Sequence, residues 1–125
     1  MQINFNSERA IFLQVAEGIE EGILSGAYPE QSQVPSTTEI SVRYKINPAT
    51  ALKGVNLLVE EGILYKKRGL GMFVCEGAQE ALQKKRKVAF FEEHIATLVR
   101  EACRLGIDAE ELVERIKISY HGGEQ

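Results

Sequence analysis

Ser36-Thr37-Thr38-Glu39-Ile40-Ser41-Val42-Arg43-Tyr44-Lys45-Ile46-Asn47-Pro48-Ala49-Thr50 holds two helix starts with only a short turn between them. Ser36 stands three residues before Glu39, the spacing of a capping box, in which hydroxyl and carboxylate satisfy each other's otherwise unpaired backbone donors. This predicts a helix from Thr37 to about Tyr44. Lys45-Ile46 leaves room only for a turn. Asn47-Pro48 then restarts a helix, with Asn as its cap and Pro at the first helical position, where a missing N–H costs nothing. Leu52, Val55, Leu58 and Val59 form the buried stripe of this helix, and Gly62 ends it. Its other face carries Ala49, Thr50, Lys53 and Asn56, unusually small and lightly charged for a solvated surface. Gly54 costs the helix about 1 kcal/mol relative to Ala, for which close approach of another surface is one reason.

Downstream, Ile63-Leu64-Tyr65-Lys66 and Met72-Phe73-Val74-Cys75 read as short strands around Lys67-Arg68-Gly69-Leu70-Gly71, a hairpin with two glycines at its tip. Upstream, Phe12, Val15, Ile19 and Ile23 recur at helical spacing, with Glu17, Glu20 and Glu21 off that stripe. With Gly26 as a left-handed stop, this predicts a first helix from about Glu8 to Ser25. The connection from Pro29 to Pro35 is polar and turn-like. Two helices joined by a tight turn, the second with a small polar exposed face, form a helix-turn-helix, and a following hairpin makes it winged. The expected fold class is mostly α with a small β-hairpin: a winged helix-turn-helix over residues 1–76 and a helical dimerisation region over 77–125.

From Gly77 one long helical pattern reaches about Leu105, where Gly106 stops it. Val88, Phe91, Ile95, Leu98, Ala102 and Leu105 follow heptad a/d spacing, over fewer repeats than an extended coiled coil needs. Asp108 caps a last helix with Glu111 at the capping-box position and Leu112, Val113 and Ile116 as its apolar face. Residues 117–125 read as a polar tail that frays. So short an appendage cannot build an independent core of useful size. Burial against a second copy of the same stripe is therefore expected, giving a two-fold homodimer.

With 44% hydrophobic and 26% charged residues the composition is ordinarily globular, and the net charge of −3 taken alone argues against a nucleic-acid partner. The average hides a pattern. Residues 1–35 carry net −4, residues 36–75 net +3 and residues 76–125 net −2, so the helix-turn-helix and hairpin are the positive part. Cys75 and Cys103 lack metal or redox spacing and are expected to be reduced thiols in a cytoplasmic protein. His94, Cys103 and His121 invite a metal site, but no pair stands at i,i+4 and no carboxylate–histidine cluster forms, so no metal or other cofactor is expected. There is no Ser/His/Asp order, nucleophile elbow or phosphate-binding glycine loop before a helix, which argues against an enzyme. The first ten residues have no basic start followed by an apolar run, and apolar stretches are short, so neither secretion nor a membrane partner is expected.

Each of these signals also has a plainer reading. Asn47, Ala49, Thr50 and Lys53 seen alone read as solvated surface; on the second helix of a helix-turn-helix beside a basic hairpin they read as DNA contacts. Lys66, Lys67 and Arg68 are equally ordinary edge-strand protection. Beside Gly69 and Gly71, where backbone can approach phosphates or enter a minor groove, the DNA reading is favoured. Lys84-Lys85-Arg86-Lys87 reads first as a solvated helix face, with a supplementary phosphate contact or domain-linking patch as the alternative. Tyr44 reads as core.

Ile11-Phe12-Leu13-Gln14-Val15, Ile23-Leu24-Ser25-Gly26, Val34-Pro35-Ser36, Ile46-Asn47-Pro48-Ala49-Thr50, Leu58-Val59-Glu60-Glu61-Gly62-Ile63-Leu64 and Arg68-Gly69-Leu70-Gly71-Met72-Phe73-Val74 together resemble the GntR-type winged-helix transcriptional regulators. The likeness covers residues 9–75, and the short helical tail resembles the YtrA-like branch. The sequence departs from the family's usual pattern at Thr38 and Lys53, where Arg is common, and at Gln31, where Gly is usual before the Pro-Ser pair. The resemblance implies a DNA-binding repressor acting as a homodimer on an inverted-repeat operator in double-stranded DNA. In that reading Asn47, Ala49, Thr50 and Lys53 face base edges, Ser36, Thr37 and Thr38 anchor phosphates, and the hairpin touches flanking backbone or minor groove. The alternative is a winged-helix protein-interaction module without specific DNA binding. An unidentified small-molecule effector near the tail is a further expectation about regulation, not about the basic activity.

Overall fold

The structure, a computed structural model, describes residues 1–122. The chain runs α1 (Ile11–Leu24), α2 (Thr37–Tyr44), α3 (Pro48–Glu60), β1 (Leu64–Lys67), β2 (Gly71–Val74), α4 (Ala78–Arg104) and α5 (Ala109–Gly122). Local signals placed most boundaries. Ser36 Oγ accepts from Glu39 N at 3.0 Å while Glu39 Oε1 accepts from Ser36 N at 3.1 Å, so the capping box that starts α2 is complete. Asn47 Oδ1 accepts from Ala49 N at 2.8 Å and starts α3. Gly62 and Gly106, both at positive φ, follow α3 and α4 in paired reverse hydrogen bonds (Ile63 N to Leu58 O and Gly62 N to Val59 O; Ile107 N to Ala102 O and Gly106 N to Cys103 O).

Several expectations need correction. α1 begins at Ile11, not Glu8: Ala10 is extended, with ψ of 141°, and the Gln14 side chain ties back to the backbone of Asn4 and Arg9, holding residues 4–9 outside the helix. α5 continues to Gly122, so residues 117–122 are helical and not a frayed tail; residues 123–125 lie outside the described residues. The stretch before α2 is more than a turn. Gln31 N donates to Val74 O at 2.8 Å, Val34 N to Met72 O at 3.0 Å and Val74 N to Ser32 O at 2.9 Å, so residues 31–34 line an edge of β2 while β1 pairs antiparallel with it in the register Leu64 to Val74 through Lys67 to Gly71. An alternation of four residues is too short to announce this in the sequence.

The core of the first unit joins Val15, Ile19 and Ile23 of α1, Ile40 of α2, Val55 and Leu58 of α3, Leu64 of β1 and Val74 of β2. In α3 the buried positions are Ala51, Gly54, Val55 and Leu58, while Leu52, expected in the core, is exposed. The reason is how closely α1 lies. A Cβ on Gly54 would stand 2.6 Å from the carbonyl oxygen of Phe12 and 2.9 Å from Val15 Cβ, so α3 turns its smallest residues to α1 and rotates Leu52 outward. Gly54→Ala is therefore expected to destabilise by about 1–3 kcal/mol despite the gain of about 1 kcal/mol in helix propensity, because the obstructing atom is backbone. Thermal unfolding checks it; an unchanged or raised Tm would show that the helices can separate at little cost.

The chain divides into two compact units, Met1–Lys85 and Arg86 onward. Composition changes at Gly77, but Ala78 and Leu82 are buried in the first unit's core, so the first turns of α4 belong to it. In the second unit, Asp108 Oδ1 accepts from Glu111 N at 2.9 Å at the start of α5. Among the described residues no helix is long and apolar enough to cross a membrane.

Candidate nucleic-acid interface

The cap of α3, Asn47, and the helix's first two residues, Pro48 and Ala49, are exposed, followed by half-buried Thr50 and, one turn on, exposed Lys53. Capping occupies Asn47 Oδ1, so the group Asn47 can offer outward is its amide NH2; the two-point contact of an Asn with adenine needs both atoms. Lys53 Nζ lies 4.2 Å from the centroid of the Phe12 ring. At the start of α2, Thr38 is exposed, Ser36 and Thr37 are half-buried, and the Ser36 oxygen is engaged as an acceptor, which leaves its O–H as a donor. The turn between the helices closes at Lys45, which takes a left-handed φ of 56°, and Ser41 Oγ donates to Ile46 O at 2.6 Å.

Lys66, Lys67 and Arg68 are exposed on the hairpin. The tip is a tight turn in which Leu70 N donates to Lys67 O at 2.9 Å, and Gly69 and Gly71 hold φ of 78° and 118°, which a side chain would strain. Lys66 and Lys67 project from opposite strand faces, and Lys67 Nζ sits 4.4 Å from the Phe73 ring centroid. Two glutamines that sequence reasoning passed over as support brace this hairpin. Gln33 Nε2 donates to Leu70 O at 2.7 Å and occupies the space a Gly71 side chain would need. Gln31, at a left-handed φ of 70°, accepts from Tyr65 O–H at 2.6 Å. The departure noted at Gln31 thus falls where the backbone asks for glycine, and the hydrogen bond to Tyr65 offsets part of the strain.

The basic run of α4 is not a uniform face. Lys85 is held by Glu20 and Glu61, each at 2.8 Å, and Glu20 is 3% exposed, so the glutamate read as lying off the buried stripe is inside. Lys84 makes an exposed i,i+4 pair with Glu80 at 3.5 Å. In the second unit, Val88, Phe91, Ile95, Leu98 and Leu105 are exposed, and Ala102, expected at the seam, is buried by its own chain. Arg115, Ile116, Ser119 and Tyr120 line a groove that is open, being made from one helix.

The small polar face of α3 and the glycine-tipped basic hairpin lie within residues 12–74, the span matched by the family profile of bacterial regulatory proteins, gntR family. The chain belongs to the GntR family. Its likeness to the HTH-type transcriptional repressor YtrA of Bacillus subtilis extends past the winged helix: 30% identity over 117 residues, covering 94% of this chain and 89% of that protein. This GntR-family chain also superposes on a putative GntR-family regulator from Bacteroides thetaiotaomicron with a TM-score of 0.76 and 32% identity, over 93% of this chain and all of the other. The DNA-binding domain of AraR, solved in complex with operator ORX1, matches 60% of this GntR-family chain and 96% of its own with a TM-score of 0.53 and 25% identity. The protein is a transcriptional regulator of the winged-helix type.

Proposed function

We propose that this regulator is a cytoplasmic repressor, without enzymatic activity, that binds an inverted-repeat operator in double-stranded DNA as a homodimer. The observation that carries the reading is the α3 face of Asn47, Ala49, Thr50 and Lys53, exposed or half-exposed and set in the one stretch of net positive charge. Ala49, Thr50, Lys53 and the amide NH2 of Asn47 meet base edges in the major groove. The Ser36 O–H, Thr37, Thr38 and the N-terminus of α2 anchor phosphates. Lys66, Lys67 and Arg68, carried on the turn at Gly69 and Gly71, follow the flanking backbone or minor groove. The exposed stripe of Val88, Phe91, Ile95, Leu98 and Leu105 supplies the seam between two copies, with Ala102 as a small buried residue beneath it. The name of the YtrA relative and the operator complex of the AraR domain support repression and DNA binding.

Selection of bound duplexes from a random pool at roughly physiological salt tests the reading. An enriched inverted repeat is expected, with log K falling by about 0.9 per phosphate contact per log unit of salt. Lys53→Ala is expected to lose about 1–3 kcal/mol and to relax one position in each half-site. A loss that is equal on all sequences reduces Lys53 to a phosphate contact. A pool that stays random sinks the operator and favours the protein-interaction alternative.

A further inference from the structure

We propose that Phe12 is a positioning residue for Lys53: its ring holds the Lys53 ammonium so that α3 offers it to DNA in one arrangement. This rests on the reading above, in which Lys53 meets a base. The ammonium nitrogen lies 4.2 Å from the ring centroid, within the range where the electron-rich face attracts a cation. The contact is built into the backbone. α1 meets α3 so closely at Gly54 that an added Cβ would strike the Phe12 carbonyl, and this approach brings the ring of one helix beneath a side chain of the other. Phe12 is half-buried and borders a groove shared with Ala49, Leu52, Lys53 and Asn56, so two of the four residues proposed to face base edges stand at its rim.

A lysine is a compact charge on a flexible four-carbon stem, without the planar geometry that makes an arginine selective. An ammonium resting on a ring samples fewer arrangements, and a base that rewards one arrangement is then better distinguished from its competitors. The ring face also offers no oxygen to compete for the three N–H donors, which stay available to base acceptors.

The test uses the full chain, its selected operator and single-base variants of that operator, with Phe12→Leu, Phe12→Tyr, Lys53→Ala and the Phe12→Leu/Lys53→Ala double variant. Melting temperatures establish that each is folded. Phe12→Leu, which keeps an apolar side chain but no ring, is expected to lose roughly two- to fivefold in discrimination at the half-site position that Lys53→Ala relaxes, with an unchanged salt slope. Phe12→Tyr is expected to restore the discrimination, and Phe12→Leu to add nothing once Lys53 is gone. Full discrimination in Phe12→Leu, or an equal further loss in the absence of Lys53, overturns the role of Phe12 while leaving Lys53 as a base contact. If Lys53→Ala changes no base preference, both assignments fall together.

Discussion

Lys85→Met should lower the Tm of the first unit by roughly 10–20 °C, the equivalent of about 2–3 kcal/mol for a domain of this size. Glu20 is almost fully buried on α1, and Lys85 meets it at 2.8 Å while also reaching Glu61 beyond the end of α3. Removing the ammonium takes one cationic partner from a carboxylate held in the interior, where each lost partner costs more than it would in water. The figure is set below the range for fully buried pairs because Lys85 itself is 46% exposed and water reaches it. That difference in burial predicts an asymmetry. Glu20→Leu should cost less than Lys85→Met, since the lysine left behind keeps both water and Glu61, and Glu20→Leu/Lys85→Met should recover much of the loss. Equal losses from the two single changes would contradict the argument. The pH dependence has a definite sign. Burial pushes the Lys85 ammonium toward deprotonation, but its hydrogen bonds and attraction to Glu20 and Glu61 outweigh this and hold its pKa above the ordinary lysine value. The contribution is therefore complete below about pH 10 and disappears as pH climbs through the raised value. The Tm gap between the protein and Lys85→Met should narrow above that range, and a gap that widens there would reverse the assignment.

In the homodimer proposed above, Leu98→Glu should separate the two copies and lower the operator affinity with them. Leu98 lies in the second unit and is 40% exposed in the single chain, so the Tm of the first unit should hold. In a two-fold seam the change appears twice, placing carboxylates of like charge in an apolar contact. The dimer dissociation constant is expected to rise by about 100-fold or more, equivalent to roughly 3 kcal/mol. Two linked reading heads also benefit from an effective concentration that separate heads lack, commonly worth about 10²–10⁴ in apparent affinity, so operator binding should fall by a comparable factor. Sedimentation and anisotropy on the same samples check both. A dimer that persists in Leu98→Glu moves the seam elsewhere, and unchanged operator affinity in a monomeric variant would show that one head suffices.

Much of the candidate interface was legible in the chain because its elements are set by neighbours close in sequence. Ser36 with Glu39 and Asn47 with Ala49 define the starts of α2 and α3, and Gly69 and Gly71 mark the hairpin tip. Periodicity was weaker evidence. It named Leu52 as core, although a helix face is decided by what approaches it, and Gly54 let α1 approach one residue-step away. It also placed Glu20 outside, since a charged residue next to a stripe reads as solvated until a cation arrives from elsewhere.

The order of the helices, the helix-turn-helix, the basic glycine-tipped hairpin and the family all follow from the sequence by itself, because caps, stops and turn residues act over one to four positions. What only the tertiary structure decided depends on groups far apart in the chain. Lys85 and Glu20 are 65 residues apart and Gln33 and Leu70 are 37 apart. No local pattern encodes such pairs, because which side chains meet is fixed only when α1, α3 and the start of α4 close on one core and exclude the water that would otherwise serve each group.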